Sequence, residues 1–383
     1  MISITENNEC CGCGACNNIC PSGCIDMVPD NEGFLYPDVD FEKCIDCGLC
    51  EKVCLYKQFG DDDKKKPDCY AMKAMDNELR ENSSSGGVFS LISYDILQSG
   101  GFVYGVSMDE NNKSCSFLKI GKREALNPLR GSKYLQANAG EVYKMVKSDL
   151  DNGNKVLFSG VPCQIIALKL FLGKEYDNLY CVEVICHGVP SPLLWKKYIE
   201  YIERKNKTSV SAVNFRNKNG GWKNFSLKID GVGFTQSKNI SNDPYLVMFL
   251  RNYSLRPSCY NCKAKIGDSS ADLTIADFWG IEKILPDMDD NRGVSLVMIN
   301  TEKGRCVFEN IKGLTLFAQV PYDFAVSNNT AYLRSCSMPK ERQEFFKDLK
   351  SMDFEMFSKK YSRVSAYKKI KRWLSTVKKQ LGL

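Results

Sequence analysis

Histidine is nearly absent from this chain. Its single occurrence, His187, leaves little room for a histidine-rich metal site or a hydrolase driven by histidine. Long apolar runs are missing as well: no stretch of about 18 apolar residues occurs, so nothing reads as a membrane span. The opening MISITENNECC lacks both the basic and the apolar part of a signal peptide, which predicts a cytoplasmic protein. Hydrophobic residues make up 43% and charged residues 26% of the 383, an ordinary balance for a soluble globular chain of two or three domains.

Cysteine, by contrast, is abundant, at 19 residues. In a secreted chain that usage points to disulfides; in a reducing compartment it points to metal or redox chemistry. Residues 10–24 read CCGCGACNNICPSGC. Cys10, Cys13, Cys16 and Cys20 follow C-x2-C-x2-C-x3-C, closed by Pro21, and the spacing returns at Cys44, Cys47, Cys50 and Cys54. This doubled run is the arrangement of bacterial two-cluster ferredoxins, where three cysteines of a run hold one [4Fe-4S] cubane and the fourth reaches the other. One cluster then takes Cys10, Cys13, Cys16 and Cys54, and the other takes Cys44, Cys47, Cys50 and Cys20. The competing reading is a pair of structural zinc sites, although zinc knots usually pair cysteines from two distant hairpins. Gly12, Gly14 and Gly48 keep the backbone slim beside the inorganic core. Leu55 stands where proline usually follows the fourth cysteine. Cys11 and Cys24 read as small buried residues.

Residues 1–58 are therefore expected to form a ferredoxin domain. The charged, aperiodic stretch GDDDKKKPD (60–68) reads as a linker over 59–67. Beyond it, apolar strands alternate with helical patterns: helix 88–101, strand 102–108, helix 141–153, strand 155–160, helix 163–173, strand 179–186 and helix 193–205. The alternation predicts βαβ units and parallel strands. The strand-rich segments AVNFR, FSLKID, DLTIADF and VSLVMIN follow. The fold expected over 68–335 is an α/β domain with a mixed sheet, in parts 68–155 and 156–335, with a helical tail over 336–383.

Cys163 follows one strand, in SGVPCQ, and Cys186 follows the next, in ICHG. Parallel neighbours end on the same side, where ligands bind. Cys259 and Cys262, in RPSCYNC, add a C-x2-C pair. The expectation is a third cluster held by Cys163, Cys186, Cys259 and Cys262, against a zinc knot or free thiols. A helix N-terminus beside Cys163 favours its thiolate. His187 is either a tuner or proton donor near that centre or a satisfied structural histidine.

Three further stretches suit a cofactor. NSSSGGVFS (82–90) precedes a helix: Ser84 and Ser85 offer hydroxyls, and Gly86 and Gly87 let a ligand approach. LRGSKYLQ (129–136) sets Arg130, Ser132, Lys133, Tyr134 and Gln136 around Gly131, a set suited to an anionic or flat heterocyclic ligand. DLTIADFWG (272–280) brings Asp277 to a strand end beside two aromatics. Each stretch alone reads equally as a cap, a solvated loop or core closure.

Taken in order, SSSGGVFS, LRGSKYLQ, LFSGVPCQ, ICHGVPSP, LRPSCYNC, ADFWG and RGVSLVMIN behind a ferredoxin run resemble the coenzyme F420 hydrogenase/dehydrogenase beta-subunit family, across residues 10 to about 300. The resemblance implies a flavoprotein fold with FAD and iron–sulfur clusters, exchanging electrons with a deazaflavin (F420) or another two-electron acceptor. It also supports the third cysteine set. It does not name the substrate, since some relatives belong to surface-polysaccharide pathways.

The expected activity is an iron–sulfur, flavin-dependent oxidoreductase acting on an organic substrate. Arg130, Lys133 and Ser85 would anchor the cofactor, and His187 or Asp277 would manage protons. The alternative is an electron-transfer subunit that docks on a partner enzyme without a substrate site of its own. Nucleic acid is not an expected partner, because aromatics do not interleave with the basic residues. The ending KKYSRVSAYKKIKRWLSTVKKQLGL carries nine Lys or Arg and no acid. Tyr367, Ile370, Leu374, Val377 and Leu381 fall at helical spacing. That pattern reads as a basic amphipathic helix lying on a membrane surface or a partner, or packing on the main domain.

Overall fold

A computed structural model describes residues 1–58, 66–265 and 270–363 of the chain. In the cysteine-rich segment, strands β1 (Ile25–Pro29) and β2 (Leu35–Val39) form an antiparallel hairpin, and a short helix lies within each cysteine run, Ala15–Ile19 and Leu49–Lys52. The expected strand of residues 102–108 is β4, Phe102–Met108. It belongs to a nine-stranded mixed sheet with β3 (Asp68–Ala74), β5 (Cys115–Ile120), β6 (Ala137–Asn138), β7 (Val156–Gly160) and β8 (Leu179–Val184). A separate antiparallel sheet contains β9 (Val210–Asn217), β10 (Ser226–Gly231) and β11 (Phe234–Asn239). The large sheet closes with β12 (Leu273–Asp277), β13 (Ser295–Ile299) and β14 (Thr315–Val320), in the order β14-β3-β13-β12-β8-β7-β4-β5-β6.

The centre of that sheet is parallel: β4 pairs with β7, β7 with β8 and β8 with β12. These strands are joined by the helices Val142–Asp151, Pro162–Leu172 and Pro192–Asn206. The flank formed by β13, β3 and β14 is antiparallel. The alternation in sequence reveals the parallel part. It does not reveal β3, whose DCYAMKA is buried almost throughout and has no polar beat of period two.

Helices cover both faces. Val88–Gln98 and Glu302–Lys312 pack on one, around Ile92, Ile96 and Phe308. Val142–Asp151 and Pro162–Leu172 pack on the other, around Val146, Ile165 and Leu168. The expected helix of 88–101 stops at Gln98, and Gly100, at φ +77°, makes the turn into β4. The small sheet packs on Pro192–Asn206 in a third core that holds Trp195, Tyr198 and Tyr245.

Part of the expected helical tail of 336–383 joins that third core. Helices Arg342–Ser351 and Phe354–Ser362 fold back into it, with Phe345, Leu349, Phe354 and Phe357 buried against Tyr198 and Tyr245. The amphipathic stretch containing Tyr367 and Leu381 lies outside the described residues.

Within this core, Asp243 caps helix Pro244–Leu250, accepting from the Leu246 amide at 3.0 Å and from the Tyr198 hydroxyl at 2.6 Å. Burial raises its carboxyl to about 6. Because the folded state favours the protonated acid, Asp243 contributes stability below the unfolded value near 3.8, and this is lost as pH rises through about 6. Asp243→Asn keeps a cap and removes this titration. Its stability relative to the parent should therefore rise from pH 4 to pH 7, read from denaturant midpoints; an unchanged difference would contradict the assignment.

Candidate redox centres and cofactor site

The cysteine runs gather into two groups. Cys16 lies within electrostatic reach of Cys13, Cys10 and Cys54, and Cys54 within reach of Cys13 and Cys10. Cys20, Cys44, Cys47 and Cys50 line one cavity, joined by Cys24, whose Sγ is 3.4 Å from that of Cys20. So Cys54 sits with the first run and Cys20 with the second.

The groups differ in exposure. Cys47 is exposed, whereas the first group is pressed against the α/β domain. Tyr143 donates to the Cys13 carbonyl at 2.9 Å, Gln136 Nε2 to the Cys11 carbonyl at 3.2 Å and Arg256 Nε to the Cys10 carbonyl at 2.7 Å. Gly12, at φ +67°, is needed for this docking: a Cβ there would meet Gln136 Nε2 at 2.5 Å and Arg256 Nη1 at 2.7 Å. This contact is a demand on Gly12 that the sequence does not show.

A second cavity is lined by Cys163, Cys186, Cys259 and Cys262, a third cysteine group, together with Cys11, Tyr56 and His187. Sheet topology explains the meeting. Parallel β7 and β8 end side by side, delivering Cys163 and Cys186, and an isolated bridge between Pro190 and Leu255 brings in the loop of Cys259 and Cys262. Leu55 begins helix Leu55–Gln58 and, with Tyr56, carries the ferredoxin segment to the rim of this cavity. Cys11, expected as a small buried residue, is a hydrogen-bond neighbour of both Cys13 and Cys163. It therefore links the first and third groups. Nothing in the spacing reveals this, since Cys11 interrupts the C-x2-C pattern.

The surroundings fit iron–sulfur clusters. Backbone amides aim at cysteine sulfurs in all three groups: Gly12 at Cys10, 3.3 Å; Ile2 at Cys50, 3.2 Å; Val189 at Cys259 and Ala264 at Cys262, both 3.4 Å. Such bonds stabilise sulfur that carries negative charge. Arg256 is fully buried, and no carboxylate pairs with it among the described residues. Its charge lies within reach of Cys10, Cys11 and Cys259. An unpaired buried cation is costly, and an anionic centre on each side would offset it. Among the described residues, no three of these side chains converge on the position of a single metal ion; the thiols line the rims of cavities.

As free thiols these groups resist ionisation. Burial pushes Cys186 up to about 12 and Cys259 to about 11. At Cys163 a hydrogen bond with Cys11 pulls downward, but burial and the neighbouring cysteines leave it above the usual value. The expected helix-terminus effect on Cys163 is thus outweighed. Loading a cluster must release protons from these groups.

The three cofactor stretches meet around a residue that sequence reasoning overlooked. Arg216, on β9, is buried. It donates to the Ser84 carbonyl and the Tyr134 hydroxyl, both at 3.3 Å, and pairs with Asp277 at 2.9 Å. The Ser84 hydroxyl accepts from the Ser132 amide at 2.7 Å. Asp277 also accepts from Trp222 Nε1 at 2.9 Å, and Trp222 stacks on Trp279 at 4.9 Å. Asp277 is thus held between a guanidinium and an indole. Arg130 bonds the Tyr94 hydroxyl, and its Nε, like that of Arg216, is buried without a partner.

The other expected residues are engaged locally. The Lys133 ammonium donates to the carbonyls of Pro128 and Arg130 at 2.7 and 2.8 Å; burial of that group lowers it to about 7, although the residue keeps some surface. Ser85 donates to the Val294 carbonyl at 2.9 Å. Gly86 and Gly87 are crowded by the protein itself, with a Cβ meeting the Met72 carbonyl at 2.4 Å and Leu79 at 2.5 Å. Gln136 faces Arg256 and Cys11 rather than Ser84.

One ring separates the two sites. Phe249 lies 5.2 Å from Tyr134 on one side and 5.2 Å from His187 on the other. His187 bonds Asn252 at 2.8 Å and has Cys336 Sγ 3.5 Å from its ring, a contact with no signal in the sequence. Burial lowers its pKa.

Residues 153–319 match the family described as the C terminus of the coenzyme F420 hydrogenase/dehydrogenase beta subunit, and residues 9–57 match a 4Fe-4S dicluster domain. The chain is similar to this beta-subunit family over residues 153–319. Among curated relatives, the F subunit of the F(420)H(2) dehydrogenase of Methanosarcina mazei is 22% identical over 231 residues, 56% of this chain and 64% of that protein. An uncharacterized ferredoxin of Methanocaldococcus jannaschii is 35% identical over 51 residues, 13% of this chain and 65% of its own. The chain thus spans just under two thirds of each. A structure of the F420-reducing [NiFe] hydrogenase complex from Methanosarcina barkeri includes a chain 15% identical to this one, covering 72% of this chain and 93% of that one, with a TM-score of 0.47. The dicluster match holds both ferredoxin cysteine runs, and the third cysteine group lies within the matched C-terminal region. Among the described residues no helix is long and apolar enough to cross a membrane.

Proposed function

We propose that the chain is an iron–sulfur flavoprotein oxidoreductase that links one-electron carriers at its surface to a two-electron organic substrate. The observation that carries the reading is the line of sites: exposed Cys47, then the first group, then Cys11 touching the third group, then Phe249 leading to Tyr134 and Arg216. When bound, clusters supply single-electron transfer and a flavin supplies its conversion to two-electron transfer.

The protein's own residues would divide the remaining work. Cys163, Cys186, Cys259 and Cys262 would hold the third cluster. Arg216 and Arg130, each with an unused buried Nε, would hold an anionic or carbonyl-bearing cofactor with Ser84 and Ser132, and Lys133 would gain charge beside an anion. Asp277 would orient Arg216 rather than act as a free base. His187 would keep a neutral ring beside the third group. The relatives' names supply F420 as one candidate substrate; a surface-polysaccharide intermediate is another.

Arg216→Gln should lower flavin per chain at least about fivefold while iron stays at the parent level, since lost charge-assisted bonds cost on the order of 1 kcal/mol or more. Equal flavin in both proteins would remove Arg216 from the cofactor site. The exposed Cys47 favours a second reading, an electron-transfer subunit docking on a partner enzyme. Flavin in the isolated chain, with turnover of a small acceptor, would decide against it.

A further inference from the structure

The second cysteine group opens on a surface that has the form of a docking face. Cys47 is exposed there, and two large apolar side chains of the same segment are left in water: Ile45, which lines the same cavity as Cys47, at 66% exposure, and Phe41, three residues before Cys44, at 72%. Two exposed side chains of this size next to a redox centre bury nothing in the isolated chain, and burial against a partner would stabilise both.

Acids flank them along the chain and on the preceding hairpin. Asp26, Asp38, Asp40, Glu42 and Asp46 are exposed, and Glu51 is half-buried. Asp40 is paired with Lys43 at 2.7 Å, and Asp46 and Glu51 share the N-terminal ammonium at 3.5 and 3.4 Å. Asp26 and Asp38 stand directly opposite each other on the hairpin of β1 and β2. Like charges in that position destabilise a sheet, so the pair works against local stability. The face belongs to the second cysteine group: the Asp40 amide bonds the Cys24 carbonyl at 2.8 Å, and Lys43 lies within electrostatic reach of both Asp26 and Cys24.

The charge is confined to this segment. Residues 1–58 carry ten acids and three lysines, whereas the whole chain is at +6. An acidic, apolar-centred face over an exposed redox group therefore sits on a chain that is otherwise basic.

We propose that Phe41 and Ile45, ringed by Asp26, Asp38, Glu42 and Asp46, form the docking face for a redox protein whose own centre is surrounded by Lys and Arg. The proposal rests on the electron-transfer reading above. Opposite charges steer encounter and set its salt dependence, and the apolar pair excludes water at the contact. One electron crosses per encounter: one centre on this chain is oxidised by one electron and the partner's is reduced by one.

The full chain, purified without oxygen, reduced with dithionite and freed of excess reductant, is mixed with ferricytochrome c as a basic one-electron probe. The second-order rate should fall at least about tenfold between about 20 and 200 mM salt, as screening shortens the reach of the charges. Asp26→Asn/Asp38→Asn/Glu42→Gln should lower the low-salt rate at least about fivefold. Phe41→Ser/Ile45→Ser should lower it at both salt levels. Iron content, visible spectrum and the rate with benzoquinone, a small uncharged acceptor, should stay at the parent level in every variant. A control, Glu175→Gln/Asp287→Asn/Glu309→Gln, removes three exposed acids from the α/β domain and should leave the cytochrome rate unchanged. A rate indifferent to salt, or equal losses in the control, would overturn the docking face. Failure of the parent protein to reduce benzoquinone would instead overturn the electron-transfer reading beneath it.

Discussion

Replacing Cys259 and Cys262 by serine should remove one third of the iron: from about twelve atoms per chain to about eight. The expectation follows from geometry. Cys259 and Cys262 share a cavity with Cys163 and Cys186, at the ends of two parallel strands, and amides of Val189 and Ala264 point at their sulfurs. The two ferredoxin groups draw no ligand from this loop, so their iron should survive. Cys11→Ser is the companion variant. Cys11 touches Cys163 but belongs to the ferredoxin segment, so it should keep about twelve irons while altering communication between the first and third groups. Magnetic coupling between reduced centres reports this, and a variant identical to the parent in coupling would remove Cys11 from the path. Parent-level iron in the double serine variant would mean that Cys163, Cys186, Cys259 and Cys262 hold no cluster.

The second large effect is expected at Arg256. Its guanidinium bonds the carbonyls of Cys10 and Leu35 and the side chain of Gln136, and lies over the Tyr36 ring at 4.1 Å. One residue thus clamps the ferredoxin segment to the α/β domain. Arg256→Gln leaves buried acceptors unpaired and should cost about 3 kcal/mol of stability, read from anaerobic denaturation. It also removes positive charge beside the first and third groups. Adding an electron there becomes less favourable, so the midpoint potentials should fall. Arg256→Lys keeps the charge and loses the fork. It should lose stability with a smaller change in potential. Equal potentials in the Gln and Lys variants would show that the charge of Arg256 does not reach the redox centres.

The parts of this molecule that the sequence reveals are those with a fixed spacing. The cysteine runs are local, so their pairing into two groups can be read before any fold is known. The strands β4, β7 and β8 and their helices are readable because short apolar runs alternate with longer stretches of near-four period. Cys163 and Cys186 follow from those strands by topology alone. The residues that tie the sites together are of another kind. Arg216 and Arg256 are buried cations whose partners lie 132 and 246 positions away in sequence, and such partners leave no periodic trace. Cys11 and Cys336 look like ordinary small residues until folding sets them beside Cys163 and His187. The glycines of the SSSGG stretch point to ligand approach in sequence, yet the chain's own packing at Met72 and Leu79 already requires them. The helices Arg342–Ser351 and Phe354–Ser362 read as a tail because their core partners, Tyr198 and Tyr245, come from elements more than 90 residues earlier.

The central claim is that one chain holds three clusters and a flavin in line. Iron, sulfide and flavin per chain, measured on protein purified without oxygen, with visible spectra before and after dithionite, test it most directly. About twelve irons and one flavin, both bleached by reductant, are the expected result. About eight irons and no flavin would contradict it, leaving a two-cluster electron carrier whose chemistry lies in another protein.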